Sequence, residues 1–202
     1  ANSYSGNTEE VVDFLEKAIE KKLNVAVVAI GGKLIEIAKE NNIPYVQIPD
    51  TGIQPRSASG FTLRALLRVM DLSDLLKETD SLISFNPSSL EVEGKTLAEK
   101  IKSIPTIYSS TENEALAMNW KVRFNETGKT PAFYNVFPEL NHNEMIGFSQ
   151  SSNNHFIFLR DPDDHSRILR RMEVTEKLLK DIGLKVEVIN LEGSNKFEKI
   201  FK

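Results

Sequence analysis

The stretch SYSGNTEE, Ser3 to Glu10, places three hydroxyls (Ser3, Ser5 and Thr8), a glycine and a run of backbone N–H groups ahead of an amphipathic run, VVDFLEKAIEK. Such a loop donates many hydrogen bonds without presenting charge. Free N–H groups at a helix start add the positive end of the helix dipole, so a phosphate is its natural guest. Gly6 lets the backbone approach a ligand closely or take a positive φ; Tyr4 and Asn7 complete the loop as supporting residues. The same composition also fits an ordinary capping turn with surface serines. Neither GxxxxGK[ST] nor GxGxxG after a strand occurs, which argues against a nucleotide or dinucleotide loop.

Three other groups have the chemistry of a reaction centre. Glu139 in PELNHNEMIG follows an apolar run and Pro138. That puts a carboxylate at the C-terminal end of a strand, where open α/β sheets site their chemistry. Phe133, Tyr134 and Phe137 nearby would lower the local polarity and raise its pKa, although loop glutamates are usually solvated. Arg56 follows Pro55 in a loop between a strand and a helix, placed to point at the same cleft or simply into solvent. There are three histidines. His142 lies three residues after Glu139 and is able to orient it or ligate something. His155, ahead of FIFLR, reads as a loop or strand-edge residue, and His165 lies in DPDDHS, where Asp163 or Asp164 can cap the next helix. Without HExxH, a facial His/Asp set or any cysteine, no metal site is expected.

The elements that must hold these groups alternate. Val11, Val12, Phe14, Leu15, Ala18 and Ile19 recur at helical spacing to about Lys22, with Thr8 as N-cap and Glu9 and Glu10 in the first turn. NVAVVAIG is a strand, GKLIEIAKENN a helix, YVQIP a strand and FTLRALLRVMDLSDLL a helix. Residues 72–103 hold only helical patterns and read as a connector between residues 1–71 and residues 104–202. Then come the strand IPTIYSS, the helix TENEALAMNWKVRFNET and the strand PAFYNVFPEL, which ends in a proline-interrupted loop. HFIFLRD, HSRILRRMEVTEKLLKDIG, LKVEVINLEG and SNKFEKIFK continue as strand, helix, strand and a short last helix. This is the grammar of two open α/β sheets. Both ends look cut: no strand carries the opening loop, and no stop signal follows the last helix.

The 202 residues are 40% hydrophobic and 27% charged, enough for one substantial core or two small ones. A formal charge of −4, spread over both halves, argues against nucleic acid as a partner. No apolar run approaches the ~20 residues that span a bilayer, and no leader pattern opens the chain, so a cytoplasmic location is expected.

The S-x-S-G-x-T pattern of Ser3 to Thr8 resembles the phosphosugar-binding loop of sugar isomerase (SIS) domains. With GGKL at Gly31 to Leu34, the Pro55–Arg56 pair and PELNHNEMIG at Pro138 to Gly147, the whole chain resembles the bifunctional phosphoglucose/phosphomannose isomerases. The resemblance implies two SIS domains, each a parallel sheet flanked by helices, joined by a helical connector. It implies aldose–ketose isomerisation of glucose 6-phosphate and fructose 6-phosphate, with mannose 6-phosphate as a second substrate, through an enediol and without a cofactor. A non-catalytic phosphosugar-binding module is the alternative. Glu139 is then the isomerisation base, Arg56 stabilises the enediolate, and Ser3, Ser5 and Thr8 hold the phosphate. His165 opens the sugar ring, contributed across a homodimer interface to the partner's site; Asn143 and Glu144 are in reach of sugar hydroxyls. Relatives also carry an earlier glycine-rich loop with a serine and a later helix with a lysine, neither of which has a counterpart here.

Overall fold

Along strand β1 (Val27–Ala29), Val27 and Ala29 point to one face and Val28 to the other, and all three are buried. A short apolar run covered on both faces is the signature of a parallel sheet with helices on either side. In the computed structural model, which describes residues 1–148 and 152–202, Val28 pairs in parallel with Val46 of β2 (Tyr45–Gln47). Asn2 bridges Val28 from the other side, also in parallel, with Ser3 N donating to Val28 O at 3.1 Å and Val28 N to Ala1 O at 3.0 Å. A short extended segment therefore does carry the opening loop, against the sequence expectation.

The chain divides into two units, Ala1–Ile83 and Ser84–Lys202. In the first, Leu15 of α1 (Glu9–Glu20) and Leu34, Ile35 and Ala38 of α2 (Gly32–Glu40) cover Val27 and Ala29. Ala65 of α3 (Ser59–Val69) packs with Val28 and Ile48 on the opposite face. The run expected as one long helix breaks after α3. Asp71 takes φ 55°, and the N–H groups of Asp71 and Leu72 return to Arg68 O and Leu67 O. This is a Schellman ending with Asp in the position glycine usually takes. A short helix, α4 (Ser73–Glu78), and a 3₁₀ run, Thr79–Ser84, follow it. The division between units falls inside the segment read as a connector, so α4 goes to the first unit and α5 (Pro87–Lys100) to the second.

The second unit contains a four-stranded parallel sheet of β3 (Ile104–Ser110), β4 (Phe133–Phe137), β5 (Asn154–Arg160) and β6 (Lys185–Asn190), in spatial order β4-β3-β5-β6. Side chains alternate along the strands, so Phe156 and Phe158 face one core and Ile157 and Leu159 the other. The first core is closed by Leu140 of α7 (Glu139–Gly147) and by Met172 and Leu179 of α8 (Ser166–Asp181). The second is closed by Leu116 and Ala117 of α6 (Glu114–Glu126), with Trp120 and Phe124 packed beside them. A last helix, α9 (Lys196–Phe201), follows β6. Helix α7 stands where sequence predicts a proline-interrupted loop. His155 is also corrected: it lies inside β5 and is 1% exposed, not at a loop or edge. Among the described residues no helix is long and apolar enough to cross a membrane.

Candidate functional site

Because Ala1–Ser3, β1 and β2 run parallel, the loops that follow them emerge at one end of the first sheet. These are the Ser3–Thr8 loop, the Gly31–Gly32 turn and the segment leading to the 3₁₀ turn Pro55–Ser57 that holds Arg56. The first two are clasped together. Lys33 N donates to Asn7 Oδ1 at 3.0 Å, Leu34 N to Gly6 O at 3.0 Å and Ile30 N to Tyr4 O at 2.9 Å. Gly6 has φ 73°, and a Cβ there would lie 1.8 Å from Gly31 O, so only glycine closes this contact.

Ser3, which is buried, brings its Oγ to 2.7 Å from Thr8 Oγ1. Thr8 occupies the N-cap of α1 but makes no side-chain cap bond; its carbonyl starts the helix instead, accepting from Val11 N and Val12 N. The expected capping role is thus replaced by a hydroxyl pair. Ser5 turns the other way and accepts from Asn7 N at 3.2 Å. Tyr4 packs on Val28, Ile48 and Ala65, with its hydroxyl buried and without a partner among the described residues. Arg56 is half-buried.

In the second unit, Glu139 opens α7 immediately after β4, and His165 is the N-cap of α8 after β5. Both stand at the C-terminal end of the sheet with β3 between them, which separates their strand ends by about 10 Å. Glu139 is exposed and accepts from Asn143 Nδ2 at 2.8 Å. Of the aromatic residues expected around the carboxylate, Phe137 points into one core, Tyr134 packs against the other and Phe133 is exposed. His142 is exposed, and the side chain that bonds Glu139 is the next residue, Asn143. The capping of α8 is corrected too: His165 Nδ1 accepts from Arg167 N at 3.2 Å, which leaves the ring proton on Nε2.

The connection after β3 leads to β4 on one side and the connection after β5 leads to β6 on the other, making the gap between β3 and β5 a topological switch point. Asn113 stands there, donating to Ser110 Oγ at 3.2 Å and, at 3.5 Å, to Asp161 Oδ2 and Asp164 Oδ1. Lys199 of α9 donates to Asp161 Oδ1 at 2.7 Å and to Asp163 Oδ2. Burial pushes the Asp161 carboxyl up, but the Lys199 hydrogen bond and charge, the Asp163 N–H and Asn113 together outweigh it and hold the pKa below the usual range. Burial raises Asp164 above its ordinary value. Asp161, Asp163, Asp164 and Lys199 line a cavity of about 370 Å³. Among the described residues, no group of three or more His, Asp or Glu side chains is arranged to hold a metal ion.

Residues 90–202 match the family of the bacterial phospho-glucose isomerase C-terminal SIS domain. The chain belongs to the SIS-domain phosphosugar isomerase family. It is 35% identical to the bifunctional phosphoglucose/phosphomannose isomerase of Aquifex aeolicus, over 96% of this chain and 62% of that protein. It is 31% identical to the D-glucosamine-6-phosphate 4-epimerase of Sulfolobus acidocaldarius, over 81% of this chain and 55% of that protein. The chain thus spans less than two thirds of the length of these relatives. In fold it is similar to the glucosamine-6-phosphate deaminase of Thermotoga maritima, with a TM-score of 0.69 at 16% identity over 99% of this chain and 64% of that one.

Within this SIS-domain chain, Glu144 was read from sequence as a sugar contact. Its carboxylate is instead occupied by Tyr108 OH and by Asn135 Nδ2, the latter at 2.6 Å. Burial, and then Glu144 itself, push the Tyr108 hydroxyl well above its ordinary pKa. Glu144 and Asn141, which donates to Thr175 Oγ1 at 2.8 Å, tie α7 to β3, β4 and α8.

Proposed function

We propose that the protein interconverts glucose 6-phosphate and fructose 6-phosphate, with mannose 6-phosphate as a second substrate, by moving a proton between C1 and C2 through an enediol. The observation that supports this reading is the clasped Ser3–Thr8 loop, whose paired hydroxyls stand beside the start of α1. That arrangement suits a dianionic phosphate. Ser3 and Thr8 bind the phosphate in this reading, joined by Ser5 once its turn to Asn7 opens. Glu139 takes the proton from the carbon next to the carbonyl, and the carbonyl itself acidifies that C–H. Arg56 stabilises the oxygen that becomes negative. His165 moves a proton between ring oxygen and anomeric hydroxyl, and a second copy of the chain receives it in its site.

Solvent-deuterium incorporation at C2 tests the base. Glu139→Gln keeps the size of the side chain and removes its basicity, so exchange falls by the ~10²–10⁴ of a positioned proton-transfer group while phosphate binding survives. Exchange at the parent rate would remove Glu139 from the mechanism. Mixing Glu139→Gln with His165→Ala subunits restores part of the turnover if sites are shared between copies.

A second reading rests on the likeness to the D-glucosamine-6-phosphate 4-epimerase. The same phosphate loop would then hold a sugar reacting at C4. Product analysis from glucose 6-phosphate and glucosamine 6-phosphate separates the two.

A further inference from the structure

The geometry points to Lys199 as the positioning residue of His165: its ammonium fastens the Asp161–Asp164 loop so that His165 keeps one orientation and one tautomer. The inference rests on the ring-opening role proposed for His165.

The loop from β5 to α8 is short, and its residues are fixed one on another. Asp163 N donates to Asp161 Oδ1 at 3.0 Å and Asp164 N to Asp161 O at 3.0 Å. Asp161 is therefore the residue around which the loop is folded, and Lys199 grips it. Both side chains of that ion pair are 10% exposed, whereas Asp163, the second carboxylate under the same ammonium, is 82% exposed. A lysine holding two carboxylates two positions apart pins the backbone between and beyond them, where His165 follows.

The gripping end is itself held. Asn195 caps α9 by accepting from Glu198 N at 3.0 Å, and Glu198 reaches back to Ser194 N at 2.8 Å, a reciprocal arrangement of the capping-box kind. Gly193 allows this closeness, since a Cβ there would stand 2.7 Å from Lys199 N. The ammonium thus starts from a fixed helix terminus.

At the other end, the His165 ring is held among the described residues by the bond that Nδ1 accepts from Arg167 N. A neutral imidazole has one donor and one acceptor nitrogen. Holding Nδ1 as the acceptor keeps Nε2–H outward as the proton to be moved. Release of the loop lets the ring leave the cap and populate both tautomers.

Nitrogen-15 NMR of the imidazoles tests this, because tautomer populations report which ring nitrogen is held as the acceptor, and exchange of the Arg167 amide reports the same bond independently of charge. Lys199→Met removes both ion pairs and keeps most of the stem; Lys199→Arg keeps the charge. We expect Lys199→Met to average the His165 ring nitrogens toward a tautomer mixture. The Arg167 amide then exchanges about tenfold faster with solvent, as local opening becomes easier. Lys199→Arg restores the parent pattern, and buried His155 reports an intact sheet throughout. Asp163→Asn cuts one ion pair at an exposed carboxylate and gives the same pattern at smaller amplitude; should Lys199→Met lose the fold, this variant decides. A single Nε2–H tautomer with unchanged Arg167 exchange in the folded variants overturns the proposal. If instead His165→Ala leaves turnover of the closed-ring sugar untouched, the ring-opening role falls while the NMR result stands on its own.

Discussion

Thr8 shows how one residue's position and its chemistry part company. It stands at the N-cap of α1, yet its hydroxyl is 2.7 Å from Ser3 and caps nothing. Removing an N-cap side chain normally costs ~1 kcal/mol. Here Thr8→Ala removes no cap bond but takes the partner from the buried Ser3 hydroxyl, so it should cost ~1 kcal/mol for that reason, and much less in a Ser3→Ala background. Affinity for a sugar phosphate should fall about tenfold, because hydrogen bonds to charged groups contribute ~1.5–3 kcal/mol. Urea melting and calorimetric titration with fructose 6-phosphate measure the two effects separately. The same stability loss with and without Ser3, at unchanged affinity, would return Thr8 to an ordinary capping role. Sequence shows the cap position because capping is a local rule; the Ser3–Thr8 pair requires Gly6 to fold the loop back under Gly31, which no spacing rule reports. Lys199 was missed for the same reason, since it lies 38 residues from Asp161.

Among the elements, the strands were legible because they are short apolar runs covered on both faces, such as VVA of β1 and FIFL of β5, and α7 was not. Pro138 reads as an interruption, but proline is well tolerated at a helix start, where its missing N–H has no partner to lose. Nor does α7 show a clean apolar stripe. Leu140 is its buried anchor, with Met145 packed partly buried against the same core, and Asn141 and Glu144 add polar ties to Thr175, Tyr108 and Asn135. A helix docked through polar side chains escapes any reading of hydrophobic period. The docking has an energetic consequence. Glu144→Ala leaves the fully buried Tyr108 hydroxyl without its acceptor, and an unsatisfied buried polar group costs ~1–3 kcal/mol. Glu144→Ala should therefore destabilise the second unit by about 2 kcal/mol, and pairing it with Tyr108→Phe should recover part of the loss. Amide exchange along α7, where Glu139 is carried, should rise with Glu144→Ala. If the double variant is as unstable as the sum of the two single ones, the Tyr108–Glu144 bond is not what docks the helix.

At the scale of the whole molecule, two units with separate cores respond differently to acid. All three histidines belong to the second unit. His155 is the buried one, with neither ring nitrogen hydrogen-bonded among the described residues. Desolvation holds its pKa below 6.5 despite Glu187, whose Oε1 is 3.9 Å from Nε2; Lys185 and Lys100 press it in the same downward direction. An unfolded chain therefore takes up a proton near pH 6.5 that the folded unit refuses, so the unfolded state binds more protons below that point. Stability is full above pH 6.5 and declines as pH falls toward the folded value. Asp161 and Glu176, held below their ordinary values of 3.8 and 4.5, lose their contributions only at lower pH. In the window from 6.5 down to about 5 the Asp164 carboxyl, raised by burial, acts in the opposite sense, so the comparison of parent with a His155 variant isolates the imidazole. Trp120, the one tryptophan, packs on the second core and reports that unit's unfolding. Its urea midpoint should drop across the window in the parent and drop less in His155→Leu, which replaces the orphaned nitrogens with carbon. Equal slopes in parent and variant would show that His155 is protonated without cost where it sits, and that the acid sensitivity of the unit lies elsewhere.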